Sequence, residues 1–448
     1  MTTSLRRGNS SPWIWGTNMR KLALLLSTVC LLQARTVQPI FGGFNSGASN
    51  LQTTGVSYEA IIPFNNQSTI GTAANSYVVW PSTGAFMGCS AISINQDPGA
   101  GASWTFAIYI EGSTTSVAIT ITHSNYTAPV ALCTGYAPIT AGQRVAVQVT
   151  PSSSPAPVAT HYTSCWIFSP AKDGETVEFG GVQAGGAPSG TTYMYIGFDG
   201  GGATTQDKGR FVAPSSGSIY NLYAYGTAAL GAGNQMVYTL QYGSGAAAPT
   251  NSSLTTTISG GSQVSNQDTT HTVTVTAGDN MDMVFVTSGS GLPNPYSNSV
   301  SFVFLPNTYG QFWILGEGLN QSLATQTNYG QLLGRPLIDN TEAHWQFFSS
   351  VPFTAQAVYC WWSTDPGSGK SYDVYFNSAN ATPSAVHVNV PHTTAPFVVS
   401  TTGQSVAVAA NALISSKFVP NSSPTAQTTA SVSYLGYIPP TGKFLGMF

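Results

Sequence analysis

The chain has 448 residues, enough for two to four domains that each bury a core, and charged residues make up only 6% of it against about 25% in ordinary soluble proteins. Five of the 13 basic residues lie in the first 35 positions, which hold no acid, so the remaining eight face all 16 acids at a net charge of −8. A body this acidic and this poor in Lys and Arg argues against nucleic-acid binding, which releases counterions through those side chains, and 42% hydrophobic residues with 9 Trp, 21 Tyr and 21 Phe argue against disorder.

In chain order, Met19-Arg-Lys followed by the apolar residues 22–32 has the form of a secretory signal, so residues 1–34 read as a signal-like or anchoring segment that is too short to span a bilayer. Residues 35–54, rich in Gly, Asn and Ser, read as a linker. Beyond it come eight strand-like segments: YEAIIPF, SYVVW, AFMGCSAISI, SWTFAIYI, SVAITIT, VALCT, QRVAVQV and SCWIF. They alternate apolar and polar residues, and no segment after Arg35 keeps helical spacing over a dozen residues.

The pattern then repeats. A Gly-x-Gly turn between two strand-like runs occurs at Gly99, Gly231 and Gly367, and a second glycine turn before an alternating run occurs at Gly142, Gly278 and Gly403. Each copy closes with an aromatic strand ending in proline, at Pro170, Pro306 and Pro439. We therefore expect an all-β chain of three tandem antiparallel β-sandwiches, jelly-roll-like, over residues 55–171, 172–308 and 309–440, with a tail at 441–448. Immunoglobulin-like Greek-key topology is the alternative, because sequence fixes strand number better than connection order.

The order PSSG, PGAG or PGSGKS, YTL, TTTI and HTVTVTAGD resembles a repeat unit of uncharacterised bacteriophage structural proteins and some bacterial surface proteins, with a sandwich similar to the TNF and C1q class. The third copy departs from it at Phe348-Ser-Ser-Val-Pro, which leaves its first turn open. The resemblance implies no catalytic residues, and it implies threefold association through aromatic strand faces. A homo-oligomer, most plausibly a trimer forming a stalk of three stacked collars, is the expectation that follows.

Motifs with chemistry are few. Gly367-Ser-Gly-Lys-Ser371 copies half of a phosphate-binding loop, but Thr364 stands where the first Gly is needed and a strand-like run follows, so we read a hairpin turn. Residues 199–207 read as an inter-strand loop, Asp279 and Asp282 as carboxyls that do not converge, and the six His as scattered. Cys89, Cys133 and Cys165 allow one disulfide or none. We expect no enzyme, no metal and no cofactor. The aromatics Trp345, Trp361, Trp362, Tyr220 and Tyr223 are the candidates for an interface or ligand face, with one of Trp361 and Trp362 pointing to the core and the other outward. The expected role is a structural or attachment protein of a virus particle, at the virion surface or exported, with itself, other virion or surface proteins and host-surface glycans as partners; an exported bacterial adhesin or carbohydrate-binding protein is the alternative.

Overall fold

The computed structural model describes residues 36–61, 73–94, 97–126, 133–155, 159–184, 190–197, 205–290, 293, 296–319, 326–330, 332, 338–342, 346–378, 384–425 and 430–439; the signal-like segment, Trp345 and the tail lie outside them. The regular secondary structure of the described residues is almost entirely strand, apart from a 3-10 turn at Ala73–Asn75 and one four-residue helical turn at Gln206–Gly209, and turns and loops make up the rest.

The first sandwich runs through β1 (Gln38–Asn50), β2 (Ser57–Glu59), β3 (Val78–Val79), β4 (Gly84–Ile94), β5 (Ser103–Ile110), β6 (Ser113–Thr122), β7 (Cys133–Ile139), β8 (Arg144–Ser152) and β9 (Ala159–Pro170). The second has β10 (Thr176–Ala184), β11 (Gly190–Ile196), β12 (Phe211–Val212), β13 (Gly217–Gly226), β14 (Gln235–Gly243), β15 (Thr250–Ser259), β16 (Ser265–Val275), β17 (Asn280–Ser288) and β18 (Tyr296–Pro306). The third has β19 (Gln311–Leu319), β20 (Asn328–Gly330), β21 (Ile338–Asp339), β22 (Phe347–Phe348), β23 (Phe353–Trp362), β24 (Ser371–Ser378), β25 (His387–Pro391), β26 (Phe397–Thr401), β27 (Val406–Val408), β28 (Leu413–Asn421) and β29 (Ala430–Tyr437).

Residues 38–50, expected to be linker, are the strand β1, which pairs antiparallel with β9 from Gln38↔Phe168 onward. Its small residues misled because Gly42 sits where any Cβ would strike the Ile61 carbonyl, at 2.3 Å, so glycine here marks close packing.

Sheet order settles the topology. The first sandwich sets β1-β9-β4-β7 against β2-β8-β5-β6, with β3 beside β8. The second sets β10-β18-β13-β16 against β11-β17-β14-β15, with β12 beside β17 and one bridge, Gly180↔Ile196, joining the two sheets. The third sets β19-β29-β23-β26 against β20-β28-β24-β25, with β21, β22 and β27 as short additions. In each, the chain passes between the two sheets in the same order, with one hairpin (β5-β6, β14-β15 and β24-β25) kept within a sheet, which is the jelly roll and not the immunoglobulin arrangement.

Period-2 patterning fills the cores. On β5, Trp104, Phe106, Ile108 and Ile110 point inward, and on β6 Val117, Ile119 and Ile121 meet them beside Trp80, Phe86, Trp166 and Phe168. Each such side chain contributes roughly 1.5–3 kcal/mol by leaving water. The outward face of the same strands carries hydroxyls that pair across the sheet, Thr105 with Thr120 at 2.9 Å and Ser103 with Ser152 at 2.7 Å.

The Gly-x-Gly segments are corners between sheets, not hairpins, since β23 and β24 belong to opposite sheets, as do β4 and β5. All six glycines need positive φ: 97° and 78° at Gly99 and Gly101, 83° and 80° at Gly231 and Gly233, 101° and 69° at Gly367 and Gly369. The first turn of the third copy survives its altered sequence, because the backbone bonds are the same. Ser349 N–H donates to the Ala412 carbonyl at 3.1 Å, as Trp80 does to Gln143 at 2.7 Å and Ala213 to Asp279 at 2.8 Å.

The three sandwiches close into a ring within Thr36–Pro439, which forms one compact unit. The strand β3 packs on β13 and β18 of the second sandwich, β12 on β23 and β29 of the third, and β22 on β4 and β9 of the first. The three contacts are equivalent in topology, so the chain carries an internal pseudo-threefold arrangement. This replaces the expected stalk of stacked collars.

Candidate interaction surfaces

The seam between the first and second sandwiches buries Tyr77, Val79, Ala146, Tyr223 and Tyr225 together. The Tyr225 hydroxyl donates to the Ala74 carbonyl at 2.8 Å, Ser299 to the Tyr77 carbonyl at 3.3 Å and Ser301 to the Val79 carbonyl. Between the second and third, Val212 meets Ala357, Tyr359, Trp361 and Leu435. The closing seam joins Phe347 to Phe41 edge-on at 6.1 Å, and Ser350 donates its hydroxyl to the Cys165 carbonyl at 2.9 Å. The first strands interlock as well. Phe179 of β10 packs 5.1 Å from Trp80 in the first core, and Trp313 of β19 stacks on Phe304 at 3.9 Å in the second.

These contacts place the aromatics singled out from sequence. Trp361 faces outward from its own sandwich, but onto the second, with the Arg210 guanidinium 5.1 Å above its ring. Trp362 points into the third core and stacks on Tyr372 at 5.2 Å. Tyr223 is 6% exposed in the first seam. The Tyr220 hydroxyl donates to the Glu175 carboxylate and accepts from the Lys172 ammonium at 2.6 Å, and burial pushes its phenol well up. Trp345 lies outside the described residues. Of the aromatics that argued for a homotrimer, Tyr223 and Trp361 are thus covered by a neighbouring sandwich of the same chain, and Trp362 and Tyr220 have partners within their own sandwich.

Other motifs resolve in the same way. Cys89 and Cys133 form a disulfide across β4 and β7, while Cys165 and Cys360 are free and buried. Lys370 N–H donates to the Gly367 carbonyl at 3.1 Å and Gly367 N–H to Asp365 at 2.9 Å, a turn leading into β24. His123 bonds Asp97 at 2.6 Å, and His392 bonds Asp365 at 2.7 Å at the matching corner of the third sandwich. Asp279 caps its turn through Thr276 N–H at 2.8 Å, whereas Asp282 is fully buried. No group of three or more His, Cys, Asp or Glu fit for a metal ion occurs among the described residues.

Five carboxyls are buried among the described residues, Glu59, Glu175, Glu178, Asp268 and Asp282, and burial dominates at three of them. Burial pushes Glu59 up to about 8, and it pushes Asp282 up to about 8 against the pull of Arg210. Glu178 is raised well above the usual range by burial, against a weak bond from Thr176. It lines a cavity of ≈ 30 Å³ where first strands of all three sandwiches converge, beside Gln38, Phe41 and Trp313.

One outer face differs between the copies. Across the third sandwich, register aligns Tyr329, Lys417, Tyr375 and His387 in a row over β20, β28, β24 and β25. Tyr375 and His387 stack at 5.1 Å, and the Lys417 ammonium lies 5.8 Å from the Tyr329 ring. In the next rows Asp373 accepts from Asn389 at 2.6 Å and Asn421 at 2.9 Å. The same row holds Tyr58, Gln148, Ala107 and Ala118 in the first sandwich, and Tyr193, Val284, Thr239 and Thr255 in the second. The row has no signal in the linear sequence, because its four residues come from four strands and become neighbours only through register.

No protein-family model matches the chain, and no curated protein matches it. Among solved structures, the chain is similar to one described as "Crystal structure of the T13 IBDV viral particle reveals a missing link in icosahedral viruses evolution", at 10% identity over 92% of this chain and 79% of that one, with a TM-score of 0.17 that bears on neither fold nor role.

Proposed function

We propose that the chain is a non-enzymatic structural or attachment protein of a virus particle, a capsid, decoration or fibre component. The observation that carries this reading is the closed ring: the aromatic strand faces lock three jelly rolls into one body and leave their hydroxyl-rich outer sheets for contact. Such a body suits bearing load and presenting surfaces. The repeat resemblance points the same way, and the Cys89–Cys133 disulfide suits an oxidising, extracellular setting. Partners in this reading are other particle proteins, host-surface glycans and further copies of the chain. A homotrimer built on Tyr220, Tyr223, Trp361 or Trp362 is set aside, since those side chains have partners within the chain.

The test is mass spectrometry of purified particles. Peptides starting at Met1 or Thr2 in particles are the expected result. Recovery from culture medium alone, beginning at Arg35, would overturn the reading in favour of an exported adhesin, which the basic and apolar residues 19–34 favour.

A further inference from the structure

We infer that the outer face of the third sandwich is a binding site for a saccharide that carries a carboxylate. The inference deepens the attachment part of the reading above and rests on it. Its basis is internal comparison. Three sandwiches of one topology offer the same outward row three times, and a solvated sheet face has no need of rings or charge there. The tyrosine on the second strand is common to all three, at Tyr58, Tyr193 and Tyr329. The other three positions change together in the third copy, where Lys417 replaces Gln148 and Val284, Tyr375 replaces Ala107 and Thr239, and His387 replaces Ala118 and Thr255.

The row fits the chemistry of an acidic sugar. Tyr329 and Tyr375, both half-exposed, stand on strands about 10 Å apart with Lys417 on the strand between them and its ammonium 5.8 Å from the Tyr329 ring centroid. Flat rings pack against the C–H face of a pyranose, and the ammonium meets a carboxylate. Charge supports the assignment. Arg144, Lys172 and Arg210 are each ion-paired, whereas Lys370 and Lys417 form no ion pair among the described residues, and of these two Lys417 is the one beside an aromatic ring. The nearby Glu342 carboxylate is already engaged, by the Ser415 hydroxyl at 2.9 Å and by the Asn377 amide. Two residues along β24, Asp373 and Ser371 take both N–H groups of Asn389, at 2.6 and 3.2 Å, and both of Asn421, at 2.9 and 3.1 Å. That arrangement leaves the two amide carbonyls to accept sugar hydroxyls.

Trigalacturonate and 3′-sialyllactose are the acidic probes, with lactose and the methyl ester of trigalacturonate as neutral controls, titrated by calorimetry or NMR against the full chain. The expected result is binding of an acidic probe at about 1 mM or tighter, at least about tenfold weaker for the neutral controls and weakened by salt. The decisive variant combines Lys417→Gln, Tyr375→Ala and His387→Ala, which installs residues the first sandwich already carries at these places. It should fold with unchanged thermal stability and lose at least about tenfold in affinity. Should the triple variant not fold, Lys417→Gln alone is read in the same way. Absence of binding by either acidic probe at about 10 mM, or binding that survives the substitutions, would overturn the inference. Particle location is read separately from peptides, so a particle protein that binds no acidic saccharide loses this inference and keeps the proposed function.

Discussion

Trp313→Ala tests whether the ring is one cooperative body or three beads. Trp313 belongs to the first strand of the third sandwich, yet it is 3% exposed within the second core, stacked on Phe304 at 3.9 Å and near Phe211 at 6.3 Å, with its indole N–H donating to Ser215 at 3.0 Å. Truncating a buried tryptophan costs about 3–5 kcal/mol, of which the ring stack is about 1 and the lost hydrogen bond is of similar size. Taking about 4 kcal/mol, and about 1.4 kcal/mol for each factor of ten, the opening constant should rise about a thousandfold. Native-state hydrogen exchange read by mass spectrometry on peptides over β12 and β18 and over β23 and β29 measures it. Protection should fall by about that factor in both sandwiches, with Trp313→Phe recovering part of the loss. Loss confined to the third-sandwich peptides would refute the interlocked ring.

The buried acids predict an unusual pH dependence. Glu59 and Asp282, both near 8 when folded against 4.5 and 3.8 when unfolded, stay protonated in the fold while the unfolded chain releases its protons. The stability these two groups contribute should therefore be fullest below about pH 4 and be lost as pH rises through 8, by a few kcal/mol between about pH 5 and 8.5; urea denaturation that is flat or rising over that window would contradict this. Glu59→Gln should flatten the profile. Asp268 acts in the opposite sense at low pH: burial alone would raise it, but bonds from Thr255, Thr270 and His271 hold it down to about 2, so its contribution fades as pH falls below about 4. Reduction of Cys89–Cys133 should cost about 2–4 kcal/mol in the same assay, and titration of all five cysteines in the denatured, unreduced full chain would show the bond absent. Lys370→Ala should change stability by less than about 0.5 kcal/mol and leave nucleotide affinity undetectable before and after.

The amino-acid sequence determines the all-β class, the Gly-x-Gly corners and the core-facing positions, because these depend on local chemistry, whereas the second turn of the third copy forms at Asn411, φ 63°, and not at Gly403. Period-2 alternation dictates which side of β5 or β6 is buried whatever surrounds it, and a Gly-x-Gly corner needs positive φ in any fold. It also showed that one of Trp361 and Trp362 must point away from its own core. What it did not determine was where the outward one goes, since a side chain pointing away from one sandwich meets water or protein according to where the next sandwich packs. The same holds for β1, whose glycines read as linker until the Ile61 carbonyl is seen against Gly42, and for Gly367-Ser-Gly-Lys-Ser371, which turns between two sheets because β23 and β24 pair with strands far along the chain. The third-sandwich row of Tyr329, Lys417, Tyr375 and His387 is scattered over 89 sequence positions and becomes one surface only through strand register. Ring closure is the furthest removed from sequence: it brings Ser350 to Cys165 across 185 positions, and only the packing of β22 on β9, a long-range tertiary contact with no local signature, decides it.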